Sequence, residues 1–173
     1  MPAHLHEGTR TVKALSIRQP WLWAILEAGK RIENRDWAGC SYRGPILLHA
    51  SKGCTHDEYE DAQESIVDMR ADMRRRGELG PELIAIPPLR DQPRGVLVGI
   101  ARIIGATRHP EYPTGYHGYR IAGALGLELA DVRKLPPIPF KGMLGFFSVF
   151  LTGLEHAEAY SAAWAELTAK GVA

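Results

Sequence analysis

The chain has 173 residues, 45% of them hydrophobic and 24% charged, which excludes a disordered or fibrous class and suits one domain with a core of ordinary size. Formal net charge is +1, so the field of the whole molecule attracts no polyanion, and a nucleic-acid partner would have to meet a local basic patch. Cys40 and Cys54 are the only cysteines, too few for a disulfide framework and without C-x-x-C spacing, so both read as reduced thiols and no metal is expected.

Residues 1–11 show no periodicity and read as a mobile arm before a single domain over 12–173. They lack the apolar run of a signal peptide, and no window approaches the roughly 18 apolar residues of a membrane span. A cytoplasmic location without a membrane partner is therefore expected. Val12 to Ile17 alternates as a first strand, and Pro20 then favours the first turn of a helix that runs to Ala28 and stops at Gly29. The helix carries Trp21 and Trp23 among Leu22, Ile25 and Leu26, so it is wedged against a sheet, with one tryptophan expected in the core and the other on a cleft.

Pro45 to Ala50, PILLHA, suits a buried strand. Thr55 and Glu58 form a capping box that opens the strongest helix in the chain, whose Tyr59, Ala62, Ile66, Met69 and Met73 share one face. Arg74, Arg75 and Arg76 fall at its C-terminal end, where the helix dipole favours cations. Prolines 81, 87, 88 and 93 imply an irregular connection, and Gly95 to Ile104 reads as a central strand.

The segment from His109 to Gly123 reads as a loop whose Tyr112, Tyr116, His117 and Tyr119 are candidates for a lid. Leu125, Leu127 and Leu129 alternate as a half-buried strand, Leu135 to Pro139 reads as a proline-rich turn, and a last strand spans about Leu144 to Leu151. Leu154, Ala157, Tyr160, Trp164 and Leu167 suit a closing helix near 154–170. Strands and helices without regular β-α-β alternation predict an α+β fold built on a small mixed or closed sheet.

The residue types that grip phosphate, stack on bases or move protons gather between Ser16 and Lys52. Arg18 and Gln19 precede a helix N-terminus, where unpaired N–H groups attract anions. A plain strand after Gly29 would put Arg31, Glu33 and Arg35 on one face as a surface ladder, with Lys30 and Asn34 on the other. A turn at Lys30 would instead bring Lys30 and Glu33 to one cleft as a lysine and an orienting carboxylate. Tyr42 and Arg43 lie in the turn entering the PILLHA strand, and Ser51 and Lys52 in the turn leaving it, so only one pair can adjoin a cleft unless the sheet curls strongly. No phosphate loop, dinucleotide fingerprint, H-E-x-x-H pair or G-x-S-x-G elbow is present, and no cofactor is expected.

In order and spacing, SIRQPWLWAIL, GKRIENRDW, YRGPILLHASK, RGVLVGIARI and LGLELADVRKLP followed by GMLGFF resemble the ASCH family, a PUA-like β-barrel group. The resemblance implies a barrel of about five to six strands with flanking helices, a cleft beside the helix after the first strand, and a helical insertion near 55–80. It implies nucleic-acid or nucleotide binding, with the family motif on Gly29, Lys30, Glu33 and Arg35 and a binding helix over Pro20 to Ala28. Joined to the residue chemistry above, the expected partner is single-stranded RNA or a modified nucleotide, bound by Arg18, Gln19, Trp21, Lys30, Arg35, Tyr42, Arg43, Ser51 and Lys52. Some relatives remove acetyl from N4-acetylcytidine with the motif lysine, a threonine three positions later and a distant glutamate. Here position 33 is Glu, so a hydrolase or ribonuclease reading would rest on Lys30 and Glu33 as acid–base pair, with Glu128 a guess for the distant carboxylate. A protein-interaction role for the long helix is the third reading, and oligomeric state is left open.

Overall fold

A computed structural model of the chain describes residues 11–108 and 116–171. The chain begins with β1 (Thr11–Ile17), turns into α1 (Trp21–Glu27), and returns through β2 (Ile32–Arg35) and β3 (Gly44–Ala50) to the long α2 (His56–Arg75). A 3-10 turn at Leu89–Asp91 leads to β4 (Val96–Thr107), the short pair β5 (Tyr116–His117) and β6 (Arg120–Ile121), then β7 (Leu125–Pro139), β8 (Phe146–Phe150) and α3 (Ala157–Ala169). The expected mobile arm at 1–11 and the expected lid residue Tyr112 fall almost entirely outside the described residues.

Six strands form one sheet in the order β2-β7-β4-β3-β1-β8. Only β1 and β3 run parallel, because α1 and β2 form the crossover between them; the other neighbours are antiparallel. Central β3 is buried at every position, as its unbroken apolar run requires. Ile46 and Leu48 face a core shared with Leu22 and Ile25 of α1, while Leu47 faces a second core capped by Tyr160, Ala163 and Leu167 of α3. Each such aliphatic side chain contributes about 1.5–3 kcal/mol by leaving water.

Helix α2 starts at the capping box that its sequence announces: Glu58 N–H donates to Thr55 Oγ1 at 3.2 Å, and Thr55 N–H to Glu58 Oε2 at 2.9 Å. Its buried stripe is Tyr59, Ala62, Ile66 and Met69, with Met73 half-buried, and Ile66 packs on Ala24 and Ala28 of α1. Tyr119 is no lid residue. It is buried, donating to Ala28 O at 3.0 Å and accepting from Arg70 at 3.1 Å, and so ties the β5–β6 segment to both helices.

Two expectations need correction. Leu135 to Pro139 is not a turn: β7 continues through it, with Leu97 paired to Ile138 and Gly99 to Lys134. Leu135, Pro136 and Pro137 bulge opposite Val98, which accommodates prolines that cannot donate to a ladder, and Tyr160 Oη donates to the freed Pro136 carbonyl at 2.9 Å. Nor does the sheet close as a barrel; β2 and β8 remain its unpaired edges. It curls instead, and side chains cross the seam: Arg35 of β2 donates to Ser16 O of β1 at 2.6 Å, and Trp37 just beyond β2 packs on Phe146 of β8 with ring centroids 5.1 Å apart. No described helix is long and apolar enough to cross a membrane.

The β4–β7 bulge depends on a glycine. A Cβ at Gly99 would lie 2.5 Å from Arg133 O and 3.2 Å from Leu26 Cδ2, and the first of these is backbone that cannot swing away. Gly99→Ala is expected to destabilise the fold by about 1–3 kcal/mol, read as a lowered urea midpoint at unchanged slope; an unchanged midpoint would contradict this packing.

Candidate functional site

The turn after α1 decides where the charged side chains go. Gln19 caps the helix start, its Oε1 accepting from Trp23 N–H at 3.0 Å while its Nε2 donates to Pro93 O at 3.0 Å. Gly29 adopts φ +71, a conformation cheap only for glycine, and Lys30 N–H bonds back to Ala24 O at 3.0 Å. The chain therefore reverses at Lys30 before β2 begins. This is the second of the two arrangements that the sequence left open.

Lys30 is 1% exposed and lies beneath the indole of Trp21, with Nζ 5.4 Å from the ring centroid. Its ammonium donates to Ile32 O and, at 3.1 Å, to Glu33 Oε2. The other oxygen of Glu33 lies 3.3 Å from Arg35 Nη2, and the Arg35 guanidinium sits over Trp37, 5.3 Å from its centroid. Two cations thus share one carboxylate that is only 6% exposed, leaving one net positive charge under the surface. Burial pulls the Lys30 pKa below its ordinary value, Glu33 opposes that fall, and Arg35 adds to it. Arg31, expected beside Glu33, turns away and donates to Ile25 O at 2.9 Å.

Above this network opens a cleft of about 1050 Å³ between the end of β1, the end of β2, the turn after β3 and the β7–β8 loop. Its walls include Trp21, Glu33, Arg35 and Asp36 on one side and Lys52, Lys141, Met143 and Leu144 on others. Among the described residues, Lys52 and Lys141 are exposed and form no salt bridge. Arg18 also lines the cleft but is held by Glu58 at 2.6 Å.

Ser16 and His49 complete the floor. They are register partners on the parallel strands β1 and β3, so their side chains emerge side by side, with Ser16 Oγ 3.0 Å from His49 Nδ1. His49 Nε2 lies 2.9 Å from Phe140 O; a carbonyl can only accept, so Nε2 carries the proton and Nδ1 accepts from the serine hydroxyl. Burial lowers the His49 pKa against the pull of that carbonyl, which favours this neutral form. Gly142 lies against the pair so closely that a Cβ there would be 2.2 Å from His49 Cε1 and 2.7 Å from Ser16 Oγ.

Arg18, Trp21, Glu33, Arg35, Ser51 and Lys52 therefore come together at one cleft. Lys30 supports it from below without lining it. Gln19 is a buried helix cap and faces the other side of α1, where Trp23 lines a separate hollow of about 210 Å³. Tyr42 and Arg43 lie away from the cleft: the tyrosine donates to Pro45 O at 2.6 Å and the arginine to Cys40 O and Tyr42 O. Of the two turns flanking β3, only the one at Ser51 and Lys52 reaches the cleft. Glu128 is also elsewhere, paired with Arg120 at 2.8 Å.

Sequence alone does not mark Ser16, His49, Lys141, Met143 and Leu144 as cleft residues. A parallel pairing of β1 with β3 would have been the signal for the first two. The last three belong to a loop whose position depends on the fold as a whole. The matched span of a family model described as the ASCH domain covers residues 15–166, which takes in every wall of the cleft.

The chain belongs to the ASCH domain family. Membership supports nucleic-acid interaction at the level of the family. No curated protein matches the chain. In this ASCH domain the motif carboxylate at position 33 is the counter-ion that Lys30 and Arg35 share, with no other carboxylate bridged to either among the described residues. Glu33→Gln leaves Lys30 and Arg35 uncompensated and is expected to cost about 3–5 kcal/mol of stability in urea unfolding. Adding Lys30→Met to that variant is expected to recover part of the loss, and a double variant no more stable than Glu33→Gln would contradict the pairing.

Proposed function

We propose that this ASCH domain binds single-stranded RNA or a modified nucleotide in the Trp21 cleft. One observation carries the reading: an indole, a floor with net positive charge, and two exposed ammonium groups that form no ion pair among the described residues all adjoin one cleft. The volume is at the upper end of ligand sites, roomy enough for a base with its backbone. A base stacks against Trp21, whose ring is held by Lys30 from behind, and phosphates meet Lys52, Lys141 and the Nη groups of Arg35. Stacking of this kind is worth roughly 1–3 kcal/mol per base and tolerates any base. Asp36, exposed on the same wall, repels phosphate there and biases the strand toward the Lys52 and Lys141 side. A cytosolic setting is part of this reading, consistent with Cys40 and Cys54 both being free thiols.

The geometry does not favour Lys30 and Glu33 as a pair acting jointly on a substrate. Glu33 lines the cleft, but Lys30 is shut beneath Trp21 with its ammonium committed to Glu33 and Ile32 O. Lys30 is better read as the residue that orients Glu33 and Trp21.

Fluorescence anisotropy with a labelled single-stranded RNA, titrated with salt, tests the binding reading. Lys52→Ala and Lys141→Ala are each expected to weaken binding and to flatten the log–log salt slope by about 0.7 per lost phosphate contact. Trp21→Ala is expected to lose about 1–3 kcal/mol, whereas Trp23→Phe, on the far side of α1, leaves affinity unchanged. Salt slopes identical in wild type and both lysine variants would overturn the assignment of the cleft.

A further inference from the structure

We infer that the tip of the β7–β8 loop is an apolar lip that inserts between neighbouring bases of the bound strand, so the ligand is an oligonucleotide with an opened stack and not a free nucleotide. This rests on the reading of the cleft as a nucleic-acid site and adds to it the form of the ligand. Leu144 is 98% exposed and Met143 64%, two large apolar side chains in succession at the rim of a basic cleft. Full burial of such a side chain is worth about 1.5–3 kcal/mol, of which the fold claims almost none for Leu144 and about a third for Met143.

The lip is fixed at its base. Phe140 O is held by His49 Nε2 at 2.9 Å, Gly142 seats against His49 and Ser16 where no other residue fits, and Gly145, at φ +70, turns the chain beside Trp37. The loop therefore does not fold its apolar tip back into the protein. Its surroundings select the partner: Lys141 adjoins Met143, and Lys52 and Arg18 line the same cleft, so a strand with phosphates outside and apolar ring faces between them matches both the charge and the apolar tip. Apolar wedges placed between base steps unstack them at a cost of a few kcal/mol per step, which stacking on Trp21 and burial of the lip offset.

The test uses the full chain and a single-stranded oligoadenylate with 2-aminopurine at its centre, whose fluorescence rises when the base leaves its stack, alongside adenosine monophosphate. Wild type is expected to raise the fluorescence on binding. The double variant Met143→Ser, Leu144→Ser removes mostly exposed atoms, and an unchanged urea midpoint checks that it keeps the fold. It is expected to abolish the rise and to bind the oligomer about tenfold more weakly, the equivalent of about 1.4 kcal/mol, a larger loss than it shows for the mononucleotide. Oligomer binding by wild type without a fluorescence rise, or a double variant indistinguishable from wild type, would overturn the lip while leaving the cleft assignment standing. Absence of binding to both oligomer and mononucleotide by wild type overturns the cleft and the lip together. Wild-type binding to anionic vesicles, or concentration-dependent dimerisation, lost in the double variant would assign the tip to a membrane or to a second copy and overturn the inference.

Discussion

Glu33 is the single carboxylate on which the cleft depends. It binds Lys30 with one oxygen and Arg35 with the other, and each of those cations fixes something beyond itself. Lys30 supports the Trp21 ring from below, and Arg35 reaches across the open seam of the sheet to Ser16 O. Burying two cations with one anion is costly; it is tolerated because backbone carbonyls accept from both. Among the described residues no second carboxylate bridges either cation, which rest instead against the Trp21 and Trp37 rings, and the cleft opens above. On the binding reading proposed above, an anionic ligand completes that balance.

The same network explains how an unclosed sheet supports a well-defined hollow. A barrel would join its first and last strands by a backbone ladder, but here β2 and β8 stay apart, and the seam is spanned by an arginine hydrogen bond and by Trp37 packed on Phe146. Leaving the seam without a ladder exposes the ends of β1 and β2 to the cleft, which is where Ser16, Glu33 and Arg35 are presented. The Ser16–His49 pair, placed by parallel registry of β1 with β3, then anchors the β7–β8 loop as the opposite wall. The ends of β1 and β2 and the β7–β8 loop are held by side-chain hydrogen bonds, and the turn after β3 by the backbone bond from Ser51 N–H to Ile17 O at 2.9 Å.

Much of this was legible from the residues alone. The Thr55 capping box, the buried run of β3, the Gly29 stop and the apolar stripe of α2 follow from local rules that tertiary context did not override. Reading Lys30 and Glu33 as neighbours required a turn that one glycine makes available but does not compel; the two arrangements were equally regular in sequence, and only packing under Trp21 chose between them. Tyr42, Arg43 and Gln19 have the chemistry of ligand-binding residues, yet each satisfies a nearby backbone group, a use that composition cannot distinguish from binding. The prolines at 136 and 137 hid the length of β7 because a bulge tolerates what a regular ladder would not. Ser16, His49 and the Met143–Leu144 tip were the least visible, since their roles arise from strand registry and a loop return over long sequence separations.

The proposed function places ligand on the Trp21 side of α1, in the cleft and not in the smaller hollow beneath Trp23. Two-dimensional ¹H–¹⁵N spectra of the indole resonances, recorded while single-stranded RNA is titrated into the protein, test it most directly. The account predicts progressive, saturable shifts of the Trp21 indole with the Trp23 and Trp164 signals stationary. Movement of Trp23 or Trp164 while Trp21 stays fixed would contradict it.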